Sequence, residues 1–178
     1  MGSHRLIFPL VALLVCLGTG CADTPAPTAV TTDGERSIVR RVNDGDTLTL
    51  TSGRQVRLVQ VDAPELVTDC YGRAAHTTLQ QLVTAGKGVT LVGDARLDSE
   101  DRYGRLLRYV FVGRLNVNVE LVRRGAASPY FFRKQRGRYA GELLAAVEAA
   151  RSAGAGYWGT CPRAELNTGL GSVTGRQT

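Results

Sequence analysis

Between residues 37 and 59 the chain alternates short β-branched runs with tight-turn signals, and no other stretch restricts the possible folds so strongly. Residues 37–42, 47–50 and 55–59 are rich in Val, Leu, Ile and Thr, with Asn43-Asp44-Gly45 and Ser52-Gly53 between them. Short, partly alternating runs bounded by Gly, Asn, Asp and Ser predict strands joined by hairpins. Pro64 then stops any further strand, because proline has no N–H to give to a ladder.

After the proline the period changes. Tyr71, Ala75, Thr78, Leu79 and Leu82 recur at helical spacing and end at Gly86. Residues 87–92 and 106–112 read as a fourth and a fifth strand, the latter turning at Gly113. A short helix is expected at 119–124, with Asn118 as N-cap and Gly125 just past its end. A longer one is expected at 138–153, with Tyr139, Leu143, Val147 and Ala150 on one face. Five short strands with helices inserted and appended predict an α+β fold. The architecture is a five-stranded β-barrel of the oligonucleotide-binding (OB) type with three helices.

The two ends read differently from this middle. Residues 1–21 carry His4 and Arg5, the apolar run 6–17 and the small residues Gly18, Thr19 and Gly20 before Cys21. The run is shorter than the roughly 20 residues a membrane-spanning helix needs, and its pattern is that of an export signal. Leu17-Gly18-Thr19-Gly20-Cys21 resembles a bacterial lipobox, in which Cys21 is lipidated and anchors the protein to a membrane. Cleavage near Ala22 with free secretion is the alternative. Residues 22–36 are rich in Thr, Pro, Ala and Gly and read as a flexible tether. Residues 162–178 read as a disordered tail, leaving one domain at 37–161.

Composition adds two constraints. The chain carries 22 Lys and Arg against 16 Asp and Glu, a formal net charge of +6. Arg123, Arg124, Arg133, Lys134, Arg136 and Arg138 crowd one stretch. Such a stretch suits a polyanion, whose counterions are released on binding, or serves as a solvated face. In the mature domain only Cys70 and Cys161 remain. Outside the cytoplasm two such cysteines pair into a disulfide more often than they stay as buried thiols. No His or Cys neighbours complete a zinc ligand set.

Three short segments carry the chemistry: Asp44-Gly45-Asp46-Thr47, the stretch from Arg57 through Asp62-Ala63-Pro64-Glu65, and Asp101-Arg102-Tyr103-Gly104-Arg105. Carboxylates hold hard divalent cations through oxygen. Arginines grip phosphate bidentately and stabilise charge that builds on it. An anionic phosphodiester repels hydroxide, so a site that cleaves one must first neutralise it.

The ordered set Asp-Gly-Asp-Thr, Arg-x4-Asp-x-Pro-Glu and Asp-x-Tyr-Gly-Arg, with the later Asn118-x2-Leu121-Val122-Arg123-x-Gly125, resembles the staphylococcal nuclease (thermonuclease) family from about Ile38 to Trp158. The resemblance implies a calcium ion at the barrel mouth, held by the Asp46 and Asp62 carboxylates and the main-chain carbonyl of Ala63, a position where the family often has Thr. It implies that Glu65 positions or deprotonates the attacking water, and that Arg57 and Arg105 clamp the phosphate. Asp44 matches an acid behind the metal ligands. Arg102 and Tyr103 match a pair touching a terminal phosphate, and Tyr130 is the expected base contact among Tyr130, Phe131 and Phe132. The implied activity is calcium-dependent, extracytoplasmic cleavage of DNA and RNA by a monomer, leaving 3′-phosphate ends. The rival is a non-catalytic barrel that binds single strands, or a lipid-anchored adhesin for polyanions. A Cys70–Cys161 bridge predicts that reducing and non-reducing gels resolve different mobilities and that neither thiol titrates in the native protein. Equal mobility with two titratable thiols would reject it.

Overall fold

The computed structural model describes residues 34–162, 164–166 and 173–174. The expected leader at 1–21 with Cys21, the tether as far as residue 33, and residues 163, 167–172 and 175–178 of the expected tail lie outside the described residues.

The five expected strands are β1 (Glu35–Val42), β2 (Thr47–Leu50), β3 (Gln55–Leu58), β4 (Gly88–Val92) and β5 (Leu106–Val112). β1 serves two neighbours in turn. Its first half pairs antiparallel with β4, Ile38 opposite Gly88, and its second half with β2, Val42 opposite Leu48. The register shifts between Val39 and Arg41, and a bulge there bends and twists the strand so that it can pass from one partner to the other. β3 then pairs parallel with β5, Val56 opposite Leu106 and Arg57 opposite Leu107, which closes the ring.

Alternation along these strands decides what faces inward. Val39, Leu48, Leu50, Val56, Leu58, Leu91 and Val110 are buried in one core. Three helices cover it: α1 (Gly72–Leu82), α2 (Val117–Arg123) and α3 (Ala140–Ser152), contributing Leu79, Leu121 and Leu143 to the same cluster. A single helical turn, Tyr157–Thr160, follows α3 and leads to Cys161, which is disulfide-bonded to Cys70 across a separation of 91 residues. Beyond it the backbone of Glu165–Leu166 pairs antiparallel with Val173–Thr174.

One expectation is corrected. The N-cap of α2 is Asn116, whose side chain accepts from the Asn118 and Val119 N–H groups at 3.1 and 3.3 Å. Asn118 sits inside the helix, fully buried. Its Oδ1 accepts from the Val110 N–H at 2.9 Å, and its Nδ2 donates to the Val59 carbonyl at 2.8 Å. It thus fills the place of a missing ladder bond where β3 has ended and β5 continues. Asn118→Ala should cost about 3 kcal/mol, because it leaves a buried donor and a buried acceptor unpaired. Asn116→Ala should cost only about 1 kcal/mol as a lost cap. Urea denaturation of both variants tests the order, and a larger loss at Asn116 would refute it.

Candidate functional site

Three segments meet at the barrel rim, and in each a local constraint sets the side chain. The hairpin between β1 and β2 is closed by the Asp46 N–H donating to Asp44 Oδ1 at 3.0 Å, the Asx arrangement that turns of this composition favour. Gly45 lies so close to the next segment that a Cβ there would come 2.5 Å from Ala63 Cβ and 3.1 Å from Ala75 Cβ. That contact seats the hairpin on residues 62–63. Asp46, immediately before β2, is almost wholly buried, accepting from the Ala63 N–H on Oδ2 and from Thr47 Oγ1 on Oδ1, both at 3.0 Å.

Arg57 projects from β3 into the same place. Its Nη2 lies 3.2 Å from Asp46 Oδ2 and donates to Asp62 Oδ1 at 2.7 Å. Its Nη1 donates to the Val61 carbonyl at 2.7 Å and to the Leu58 carbonyl at 3.4 Å. One guanidinium therefore binds two carboxylates and the turn between them. Val61–Asp62 also pairs with Ser128–Pro129, which fixes the turn from the other side.

The electrostatics are unbalanced toward negative charge. Burial raises the pKa of Asp46, Arg57 opposes this, and Asp44 adds to the rise. Burial likewise raises Asp62, to about 6; Arg57 works against the shift, while Asp46 and Glu65 add to it. Burial works against the Arg57 charge, but Asp46, Asp62, Asp44 and Asp101 together outweigh it and raise its pKa.

The other expected residues fall around this centre. Glu65 is exposed on the loop before α1, its N–H donating to Asp69 Oδ2 at 3.0 Å. Gly72 packs directly on the Glu65 carbonyl, leaving no room for a side chain. Arg105 is gripped by Asp101: its Nε donates to Oδ2 at 2.6 Å, and Oδ1 accepts from the Arg105 and Tyr103 N–H groups at 3.1 and 2.9 Å. Burial opposes ionisation of Asp101, but the Arg105 bonds prevail and hold its carboxyl below the usual range. Because Arg57 stands opposite Leu107, Arg105 two positions earlier shares that outward face of the barrel. Arg102 stacks on the exposed Tyr103 ring at 4.8 Å, with Arg105 at 5.5 Å. Tyr130 is only partly exposed and donates its N–H to the Gln60 carbonyl at 2.9 Å. The exposed ring of that trio is Phe132, while Phe131 is core.

Two contributors gave less sequence signal. Asp101 was inside a recognised motif, and its spacing from Arg105 could have assigned it as the residue that holds Arg105. Gln60, between Arg57 and Asp62, carries no turn or charge signal, yet it is buried with φ 61°.

The donor set is oxygen only, which fits a hard cation. Among the described residues no group of three or more His, Cys, Asp and Glu side chains converges as a metal cluster. A cation here would rely on two carboxylates plus main-chain or water oxygen. Asp46 and Asp62 each contact the same arginine nitrogen, so their oxygens already lie close enough to share one positive charge.

Fold and site together define a class: a closed OB-type barrel with an arginine-bridged pair of carboxylates at its rim. The chain belongs to the staphylococcal nuclease homologue family, whose model matches residues 55–160. It is 37% identical over 124 residues to an uncharacterized endonuclease of Haemophilus influenzae, covering 67% of this chain and 64% of that protein. It is 37% identical over 107 residues to the thermonuclease of Staphylococcus intermedius, covering 56% and 62%. Endonuclease YhcR of Bacillus subtilis is 35% identical over 154 residues, covering 76% of this chain and 12% of that protein. The chain spans less than two thirds of the length of each of these relatives.

The raised pKa of Asp62 has a signed consequence for the metal-free protein. Between its ordinary value of 3.8 and about 6, the folded state keeps a proton that the unfolded state has lost. Stability should therefore fall as pH rises through that window. The side chain is 48% exposed, so solvent screening makes the effect partial. Thermal melts in chelator at pH 4 to 7 should have a shallower decline for Asp62→Asn, and an equal slope would refute the assignment.

Proposed function

We propose that this chain is an extracytoplasmic, calcium-dependent endonuclease that hydrolyses phosphodiester bonds of DNA and RNA with little sequence preference and leaves 3′-phosphate ends. The observation that carries the reading is the meeting of Asp46 and Asp62 on one nitrogen of Arg57. Asp101, which holds Arg105, lies close enough to add to the field at that guanidinium. Relatives named thermonuclease and endonuclease support the same class of reaction.

Asp46, Asp62 and the main-chain oxygen of Ala63 would hold calcium, which when bound supplies positive charge against the anionic phosphodiester. The chain's own groups account for the rest. Glu65, exposed beside Asp62, takes a proton from the attacking water on its carboxylate. Arg105 is anchored through Nε, which leaves its terminal nitrogens to meet a phosphate oxygen. Arg57, on the same outward face of the barrel as Arg105, adds its positive charge against the developing negative charge. Tyr103, with Arg102 across its ring, and Tyr130 offer contacts to the flanking nucleotide that need no particular base. The expected leader and the Cys70–Cys161 disulfide support action outside the cytoplasm, either tethered through lipidated Cys21 or released.

Incubation of the purified domain with plasmid DNA and with RNA, in calcium or chelator, tests the proposal. Cleavage is expected only with calcium. Asp46→Ala, Glu65→Gln and Arg57→Lys should each lower kcat by about 10²–10³, with losses that do not add in combination. Calcium should also raise the melting temperature of the native protein and not of Asp46→Ala. Salt-sensitive binding without turnover would favour the non-catalytic barrel instead.

A further inference from the structure

The basic stretch 123–138 is not one patch. Glu120 neutralises Arg123 and Arg124, at 2.6 and 2.8 Å, and Asp94 accepts from the Arg138 N–H at 2.6 Å with the Arg138 side chain 4.0 Å away. Arg133, Lys134 and Arg136 are all exposed, and among the described residues none of them has an ion pair. They ride on a loop whose backbone is unusual. Arg133 and Lys134 both have left-handed φ, 51° and 63°, a conformation that residues with side chains rarely adopt.

The Gln60 side chain ties that loop to the turn beside Val61. The Gln60 amide donates from Nε2 to the Gln135 carbonyl at 2.8 Å, and its Oε1 accepts from the Gly137 N–H and the Tyr109 hydroxyl, each at 2.9 Å. The Gln60 main-chain carbonyl accepts from the Tyr130 N–H, so one residue secures both ends of the loop. Gln60 is buried and itself left-handed. It adjoins Val61, whose carbonyl Arg57 grips. The turn that assembles the carboxylate pair therefore also sets where three unneutralised cations stand.

We propose that Gln60 is a positioning residue, and that the loop it holds presents Arg133, Lys134 and Arg136 as a second phosphate-binding surface for the nucleic-acid strand flanking the bond to be cut. The proposal rests on the nuclease reading for its substrate. It predicts a chain-length preference: polymers reach the loop, and a small ester does not.

Two measurements separate this from a failure of the nuclease reading. The first is binding of a fluorescein-labelled single-stranded thymidine oligomer to Asp46→Ala protein in chelator, followed by anisotropy against salt. Replacing Arg133, Lys134 and Arg136 together by Ser should make the negative slope of log affinity on log salt shallower by about 2, near 0.7 for each lost phosphate contact. Gln60→Leu, checked for folding by circular dichroism, should also make it shallower. The second measurement is kcat/KM in calcium on the oligomer relative to a p-nitrophenyl phosphodiester of thymidine. Both variants should reduce that ratio about tenfold, through KM for the oligomer. An unaltered salt slope and ratio in the triple variant would overturn the proposal. So would an equal fall on both substrates in Gln60→Leu, which marks a merely structural residue. Should Gln60→Leu not fold, the exposed triple variant decides. Wild-type protein that cuts neither substrate would sink the nuclease reading, and the binding measurement would still decide this one.

Discussion

The Arg57 guanidinium is the group on which the rest of the site depends. Without it, Asp46 and Asp62 would be two partly buried carboxylates pushing one another apart. With it, each lies within ion-pair distance of a single nitrogen. The same side chain ties down the Leu58 and Val61 carbonyls through its other nitrogen. Arg57 therefore supplies charge to the pair and also shapes the turn that presents Asp62. Burial raises the pKa of both Asp46 and Asp62, Arg57 opposes the rise, and the neighbouring acids, Asp44 at Asp46 and Glu65 at Asp62, add to it. Two carboxylates held buried against their own ionisation cost stability, and perturbed groups of this kind cluster at functional sites.

Charge alone does not set the geometry; close backbone approach does. Gly45 lets the acidic hairpin rest on Ala63, and that contact puts the Ala63 N–H on Asp46. Gly72 lets the start of α1 press on the Glu65 carbonyl. In both places a side chain would force apart two segments that carry neighbouring functional groups. Alanine at position 63 belongs to the same packing, since its Cβ is the atom that a side chain at residue 45 would strike first.

The barrel was legible because its signals are local. Short β-branched runs, an Asx-Gly hairpin, a Ser-Gly turn and a proline stop each act within a few residues, and the five strands lie where those signals put them. The acidic and arginine positions were legible as an ordered motif. What escaped depends on contacts distant in the chain. Asn118 suits an N-cap as well as Asn116 does, and only the end of β3 beside Val110 makes it a buried bridge between strands. The basic stretch looked uniform, but Asp94, which removes Arg138 from it, lies far away in sequence. Gln60 resembles an ordinary strand residue until Tyr109, Gln135 and Gly137 converge on its amide.

Backbone strain marks the same division between scaffold and site. Among the described residues, four non-glycine residues have positive φ: Gln60, Tyr71, Arg133 and Lys134. None lies in a barrel strand. Gln60, Arg133 and Lys134 belong to the turn and loop joined by the Gln60 amide. Tyr71 sits between disulfide-bonded Cys70 and Gly72, on the segment that carries Glu65. Each strained position costs on the order of 1–3 kcal/mol and persists only where its surroundings hold it. Here the holders are a buried amide on one side of the rim and a covalent bond on the other. The regular barrel strands carry none of these costs, which fall on the turn and loops at its edge. The irregular segments are therefore held by long-range contacts, the Gln60 amide and the Cys70–Cys161 bond, and not by the strand ladders.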